Sequence, residues 1–177
     1  MKVIHAFILL CTTLVCCQNS TSKHSDTKGA AGRDTSLMNP YYSTTDTHKL
    51  HLTDSVWAKV LPKRIYQISR NKGTEHAFSG KYWNFEGLGT YYCAACGNAL
   101  FRSDAKFASS CGWPSFYETL RPNSVLYVAD SSHGMHRIEV LCGRCHGHLG
   151  HIFDDGPPPT GKRFCMNSTV LDFIPQK

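Results

Sequence analysis

The stretch HRIEVLCGRCHGHLGHIF, residues 136–153, decides how the chain is read. HRIEVLC and HLGHIF are short β-branched or alternating runs, and between them sits C-x-x-C. A second stretch, YYCAACGNALF at 91–101, has the same form. A strand leads into two cysteines, and a small residue turns the chain. Each C-x-x-C places two thiolates on one tight turn, and two such turns complete a tetrahedron around zinc. Cys93, Cys96, Cys142 and Cys145 are therefore the expected ligands of one structural zinc, closed to water. Two disulfides, or a redox C-x-x-C, are the competing readings. Gly97 and Gly143 are expected at the positive-φ positions that such turns require.

Working outward, GTYYCAAC, VLYVAD, HRIEVLC, HLGHIF and RFCMNSTVLDFI alternate with clusters of Gly, Pro, Asn and Asp. That pattern predicts a small, mainly β, antiparallel domain. Helical signals gather before it. Thr53 or Asp54 can cap a helix through Val60, Pro62 ends it, and Ile65–Ser69 can add a further turn.

The 177 residues suit one domain plus a tail. Residues 1–18 read as a signal peptide: Lys2, a nearly uncharged apolar run, then small and polar residues. Residues 19–48 are polar and predict a disordered linker, and 49–177 form the domain. This places the protein in the secretory pathway or outside the cell, the alternative being cytoplasmic or organellar. After processing no membrane contact is expected. A net charge of +6 without any Lys/Arg run argues against nucleic acid. Asn19-Ser20-Thr21 is a glycosylation sequon; Asn167-Ser168-Thr169 is read as coincidental.

Beyond the leader, Cys111 and Cys165 remain unassigned. An even count of six cysteines in a secreted chain also permits three disulfides. The unassigned pair lies in SSCGWPSFY (109–117) and RFCMNS (163–168), with HLGHIFDDG (148–156) between them. On an extended strand Arg163, Cys165 and Asn167 share one face. A guanidinium beside a thiol favours the thiolate, and Asn167 can hydrogen-bond an oxygen-bearing ligand. Each residue also has a plain reading. A lone cysteine is usually a small buried hydrophobe, His148 and His151 could be surface groups or extra ligands, and Trp113 could be a core anchor.

Taken together and in this order, CxxC, GWPSF, CxxC, HLGHIF and RFCMNS resemble the zinc-containing B-type methionine sulfoxide reductases, the peptide-methionine (R)-S-oxide reductases. RNKGTEHAFSGKYWN is also similar to the family's N-terminal portion, and the likeness covers about residues 52–174. The resemblance implies a barrel-like sandwich of two antiparallel sheets with small N-terminal helices. It implies an enzyme of oxidative-damage repair that acts on methionine-R-sulfoxide in proteins. Cys165 is then the nucleophile, becoming a sulfenic acid. Cys111 is the resolving cysteine, closing a Cys111–Cys165 disulfide that thioredoxin or another dithiol reduces. His148, His151 and Asn167 would protonate or hydrogen-bond the departing oxygen, and Arg163 would favour the thiolate. Trp113 and Phe153 would wall the substrate's S-methyl group. A monomer is expected. A zinc-ribbon binding module without catalysis, and a zinc chaperone or thiol redox sensor, are the alternatives from other classes.

Overall fold

The computed structural model describes residues 39–177. The expected leader over 1–18 and the expected linker up to residue 38 lie outside them. Two short helices come first, α1 over Asp54–Val60 and α2 over Lys63–Ser69. Thr53 stands at the N-cap of α1, although its side chain makes no capping bond. Pro62, which offers no N–H, separates the helices. They bury Trp57, Ile65 and Ile68.

Nine strands follow among the described residues: β1 Gly89–Cys93, β2 Ala99–Arg102, β3 Lys106–Phe107, β4 Ser115–Phe116, β5 Val125–Asp130, β6 Arg137–Cys142, β7 His148–Phe153, β8 Arg163–Met166 and β9 Leu171–Pro175. They form two sheets, ordered β2-β1-β9 and β3-β4-β8-β7-β6-β5, and every pairing is antiparallel. The run RFCMNSTVLDFI divides between the sheets. A 3₁₀ turn at Ser168–Val170 carries the chain from β8 in one sheet to β9 in the other.

Aromatic side chains join the sheets. Phe101 of β2 stacks on Phe116 of β4 with centroids 4.4 Å apart and planes 11° from parallel. Tyr91 of β1 meets the same ring edge-on at 4.9 Å. Phe116 and Phe101 are fully buried; such a ring contributes about 1.5–3 kcal/mol by leaving water and each pair about 0.5–1.5 more. The result is a sandwich of two sheets rather than a closed barrel.

Strand alternation places the chemistry. Phe164 and Met166 of β8 point into the core, so Arg163 and Cys165 take the opposite face. Register then lines up Ser115, Cys165, His151 and Glu139 as one row across β4, β8, β7 and β6.

Two expectations need correction. Residues 39–48 are not a free linker. Asn39 is buried and its amide donates to Ala95 O (2.8 Å), Ser43 N donates to Cys96 O (3.0 Å), and the buried Arg144 pairs with Asp46 (2.6 Å) while bonding the carbonyls of Tyr41 and His48. The polar composition over this stretch serves hydrogen bonding to both knuckles, through Ala95 and Cys96 of the first and Arg144 of the second. Gly97 does adopt positive φ (+78°), but in the second knuckle the matching position is His146 (φ 58°), directly after its second cysteine. Gly143 is required for closeness instead: a Cβ there would lie 2.1 Å from Asn123 O. No helix among the described residues is long and apolar enough to cross a membrane.

Candidate active site

Cys165 opens onto a cavity of about 130 Å³ lined by Trp113, His151, Phe153, Asn167, Thr74, Arg137 and Gly150. Five residues named from the sequence thus meet at one hollow: Cys165, Trp113, His151, Phe153 and Asn167. Cys111 is not on its wall but lies directly beside Cys165, with Sγ–Sγ at 3.6 Å. The cysteines are 54 positions apart; the pairing of β4 with β8 brings them together, since Ser115 is the cross-strand neighbour of Cys165.

The charge on this sulfur pair runs against the sequence expectation. Burial pushes the Cys165 thiol up to about 12, and negative charge on Cys111 and their hydrogen bond add to the effect. Arg163 opposes this but does not prevail. Its guanidinium is engaged elsewhere, in two 2.8 Å hydrogen bonds to Asp155, and it lies 4.4 Å from the centre of the Phe153 ring. For Cys111 burial also acts upward, yet hydrogen bonds from Ser109 (2.9 Å) and Ser115 (3.4 Å), a backbone contact at Trp113 and the Cys165 thiol bring it down to about 7. At neutral pH Cys165 therefore keeps its proton, while Cys111 is near the midpoint of its titration and is the member of the pair that ionises first.

His148 and His151 are three apart, and strict alternation would send them to opposite faces. A bulge corrects this. Gly150 pairs with Val140, but the next partner of β6, Leu141, faces His148, so one residue is skipped. The two rings end 5.5 Å apart. His151 donates from Nε2 to Asp130 (2.7 Å), which also accepts from Arg137 (2.7 Å). Ser132 first, then His151 and Arg137, hold the Asp130 carboxyl well below the usual range. His148 is buried and does not line the cavity; its Nδ1 donates to Glu139 (2.7 Å), whose other oxygen accepts from Lys72 (2.8 Å). Burial lowers the His148 pKa despite Glu139, and so favours the neutral ring.

Asn167 is held at both ends of its amide. Its oxygen accepts from Glu75 N (3.1 Å) and its nitrogen donates to Leu149 O (3.1 Å). This buried amide is the acceptor of the second sequon. The Trp113 indole N–H donates to Glu75 O (3.2 Å).

Several of these partners were not identified from the sequence: Ser109, Ser115, Glu75, Asp130, Arg137, Glu139 and Asp155. Three had visible signals. Ser109 and Ser115 flank Cys111 inside SSCGWPS, and Glu139 is the one carboxylate in the apolar run RIEVLC, where a buried charge demands a partner.

The four knuckle cysteines gather separately, sharing no residue with the cavity. All are buried, and their Sγ atoms lie within 4.8 Å of one another, with Cys93–Cys145 at 3.8 Å and Cys96–Cys142 at 3.6 Å. Zn–S bonds of about 2.3 Å in a tetrahedron imply S–S edges of about 3.8 Å, so the cluster fits a zinc-sized ion. Asn98 donates to Cys142 Sγ (3.6 Å) and to Ser124 O (3.0 Å), tying one ligand to the surrounding backbone.

The SelR domain model matches residues 61–175. The chain belongs to the SelR-domain family. Curated relatives of this SelR domain include a peptide methionine sulfoxide reductase MsrB from Thiobacillus denitrificans, 54% identical over 124 residues that cover 70% of this chain and 94% of the relative. Proteins of the same name from Leptospira interrogans and Agrobacterium fabrum are 51% and 49% identical, over 71% and 72% of this chain and 96% and 94% of their own lengths. The family resemblance seen in the sequence motifs is borne out. The cavity, the sulfur pair and the four-cysteine cluster all lie within the matched span, between Thr74 and Asn167.

Proposed function

We propose that this SelR-domain protein reduces the R epimer of methionine sulfoxide in proteins, through a sulfenic acid on Cys165 and a Cys111–Cys165 disulfide. One observation carries the reading: a cysteine on the floor of an aromatic-walled hollow has a second cysteine 3.6 Å away. The names of the relatives support the substrate class.

In the first step the Cys165 sulfur attacks the sulfoxide sulfur and the S–O bond breaks. Oxygen passes to Cys165 as sulfenic acid, and methionine leaves as the thioether. The attacking sulfur is the protonated member of the pair, so its proton moves as it attacks. The Cys111 thiolate beside it can accept that proton; the proton that turns the departing oxygen into the sulfenic hydroxyl comes from the Nδ1–H of a protonated His151, whose Nε2–H is held by Asp130, while the Asn167 amide N–H hydrogen-bonds the oxygen as charge gathers there. In the second step Cys111 attacks the sulfenic sulfur, releasing water and closing the disulfide. An external dithiol, thioredoxin by resemblance, restores both thiols by exchange. Trp113 and Phe153 give the cavity apolar lining, and His151 and Asn167 give it polar lining; a sulfoxide with its methyl group on the aromatic rings and its oxygen on the polar groups is accepted as one epimer.

Cys93, Cys96, Cys142 and Cys145 would hold one structural zinc, which fastens the two knuckles and takes no part in the chemistry. The apolar leader supports entry into the secretory pathway, which mass spectrometry of the mature N-terminus tests. The activity is tested on separated R and S epimers with dithiothreitol. R alone should be consumed, Cys165→Ser should abolish turnover, and Cys111→Ser should release about one methionine per enzyme before stalling on protein without added reductant. Consumption of S, or turnover surviving Cys165→Ser, would overturn the assignment.

A further inference from the structure

Glu75 is a buried carboxylate that none of the steps above uses. It belongs to the segment Gly73–Gly80, which has no regular secondary structure yet forms part of the cavity wall through Thr74. Its Oε1 accepts from Ser168 N (2.6 Å), and its Oε2 accepts from Thr169 N (2.9 Å) and the Thr169 hydroxyl (2.6 Å). These donors are the first residues of the turn that follows Asn167. The main chain of the same residue holds two cavity groups: its N–H donates to Asn167 Oδ1 and its carbonyl accepts from the Trp113 indole. Three positions further on, Phe78 N donates to Gly112 O (2.7 Å), in the loop that carries Cys111.

We propose that Glu75 is the positioning residue of the site, a clamp that sets Asn167 and Trp113 in one geometry against Cys165. The polar group and the aromatic wall lie about 50 residues apart in sequence, and the β4–β8 pairing stops one residue short of both, at Met166 N donating to Pro114 O (3.0 Å). One residue touches both. Its carboxylate fixes its own backbone by gripping the Ser168–Val170 turn, and charge-assisted bonds of this length are short and directional. Removing the charge leaves the fold's aromatic core untouched but frees the 73–80 segment to shift. A displacement of about 1 Å at a reacting site costs on the order of 100-fold in rate. Asn167 and Trp113 would then lose their mutual placement while each remains present. The inference rests on the methionine sulfoxide reading for its kinetic arm only.

Glu75→Gln tests it, since the amide keeps the shape but turns an N–H toward backbone donors. Measured with N-acetyl-methionine-R-sulfoxide amide and dithiothreitol on zinc-loaded full-length protein, kcat/KM should fall about 10- to 100-fold. In an Asn167→Ala background the same substitution should cost clearly less than in the parent, because one of the two groups it positions is already gone. An equal cost in both backgrounds would reduce Glu75 to general support and overturn the proposal. Thr169→Val, which deletes one donor without changing shape, should lower kcat/KM about three- to tenfold and decides the matter if Glu75→Gln does not fold. A Thr169→Val enzyme within twofold of the parent overturns it. The Trp113 indole N–H resonance, assigned by its loss in Trp113→Phe, reads the clamp without any substrate; it should exchange with solvent faster in either variant. If the unsubstituted protein leaves the R epimer intact, the functional reading falls, while this resonance still decides for or against the clamp.

Discussion

Replacing Cys111 by Ser should make Cys165 more acidic and more reactive, which inverts the intuition that a resolving cysteine only acts after the first step. The two sulfurs are 3.6 Å apart. A thiolate on Cys111 opposes a second charge at that distance by about 4.6 kcal/mol at an effective dielectric of 20, and by about 1.2 kcal/mol in bulk water. At about 1.4 kcal/mol per pH unit, removing it lowers the Cys165 pKa from about 12 by roughly one to three pH units. The burial that is the largest cause of the elevation stays, so Cys165 should remain above an ordinary thiol. Below its pKa the thiolate fraction rises tenfold per unit; a Brønsted slope of about 0.5 returns half of that gain as lower nucleophilicity. Alkylation of Cys165 by iodoacetamide at pH 7 should then speed up about 3- to 30-fold. Peptide mapping at low conversion separates the two sites in the unsubstituted protein, where Cys111 should react first, with a rate that rises through pH 7. A Cys165 rate that is unchanged or slower in Cys111→Ser would show that the two sulfurs do not share a proton, and the account of the resting pair would fail.

Other consequences are as direct. Cys142→Ser removes one of four clustered thiols and should reduce bound zinc from one equivalent to near none by metal analysis, with loss of the cooperative melt; a variant that keeps its zinc and its melting temperature contradicts a four-sulfur site. Asp130→Asn removes the carboxylate that accepts from both His151 and Arg137 and should lower kcat about 10- to 100-fold with little change in KM, as steady-state kinetics on the R epimer will read. Phe116→Ala deletes a fully buried ring packed between Phe101 and Tyr91 and should cost about 3–5 kcal/mol in denaturant unfolding; a loss below about 1 kcal/mol would refute the sandwich core drawn here.

The knuckles were legible because their information is local: two cysteines two residues apart must lie on one turn, whatever surrounds them. The same holds for the longer strands, whose alternation survives without knowledge of partners. The strands β2, β3 and β4 were missed; two of them have only two residues, too few to show a period. Convergence of His148 and His151 depends on a bulge opposite Leu141, which is a property of strand pairing and cannot be read from either strand alone. The charge on Cys165 was misread for a similar reason. Its neighbour at i−2 is Arg163, which the sequence displays, and the structure keeps the two on one face. What outweighs that neighbour is burial, together with a sulfur 54 positions away, while Asp155 occupies the guanidinium. Reactivity at this site is therefore set by groups that meet only across strands. The motif names the atoms that react, and the sheet register decides which of the two sulfurs carries the proton when substrate arrives.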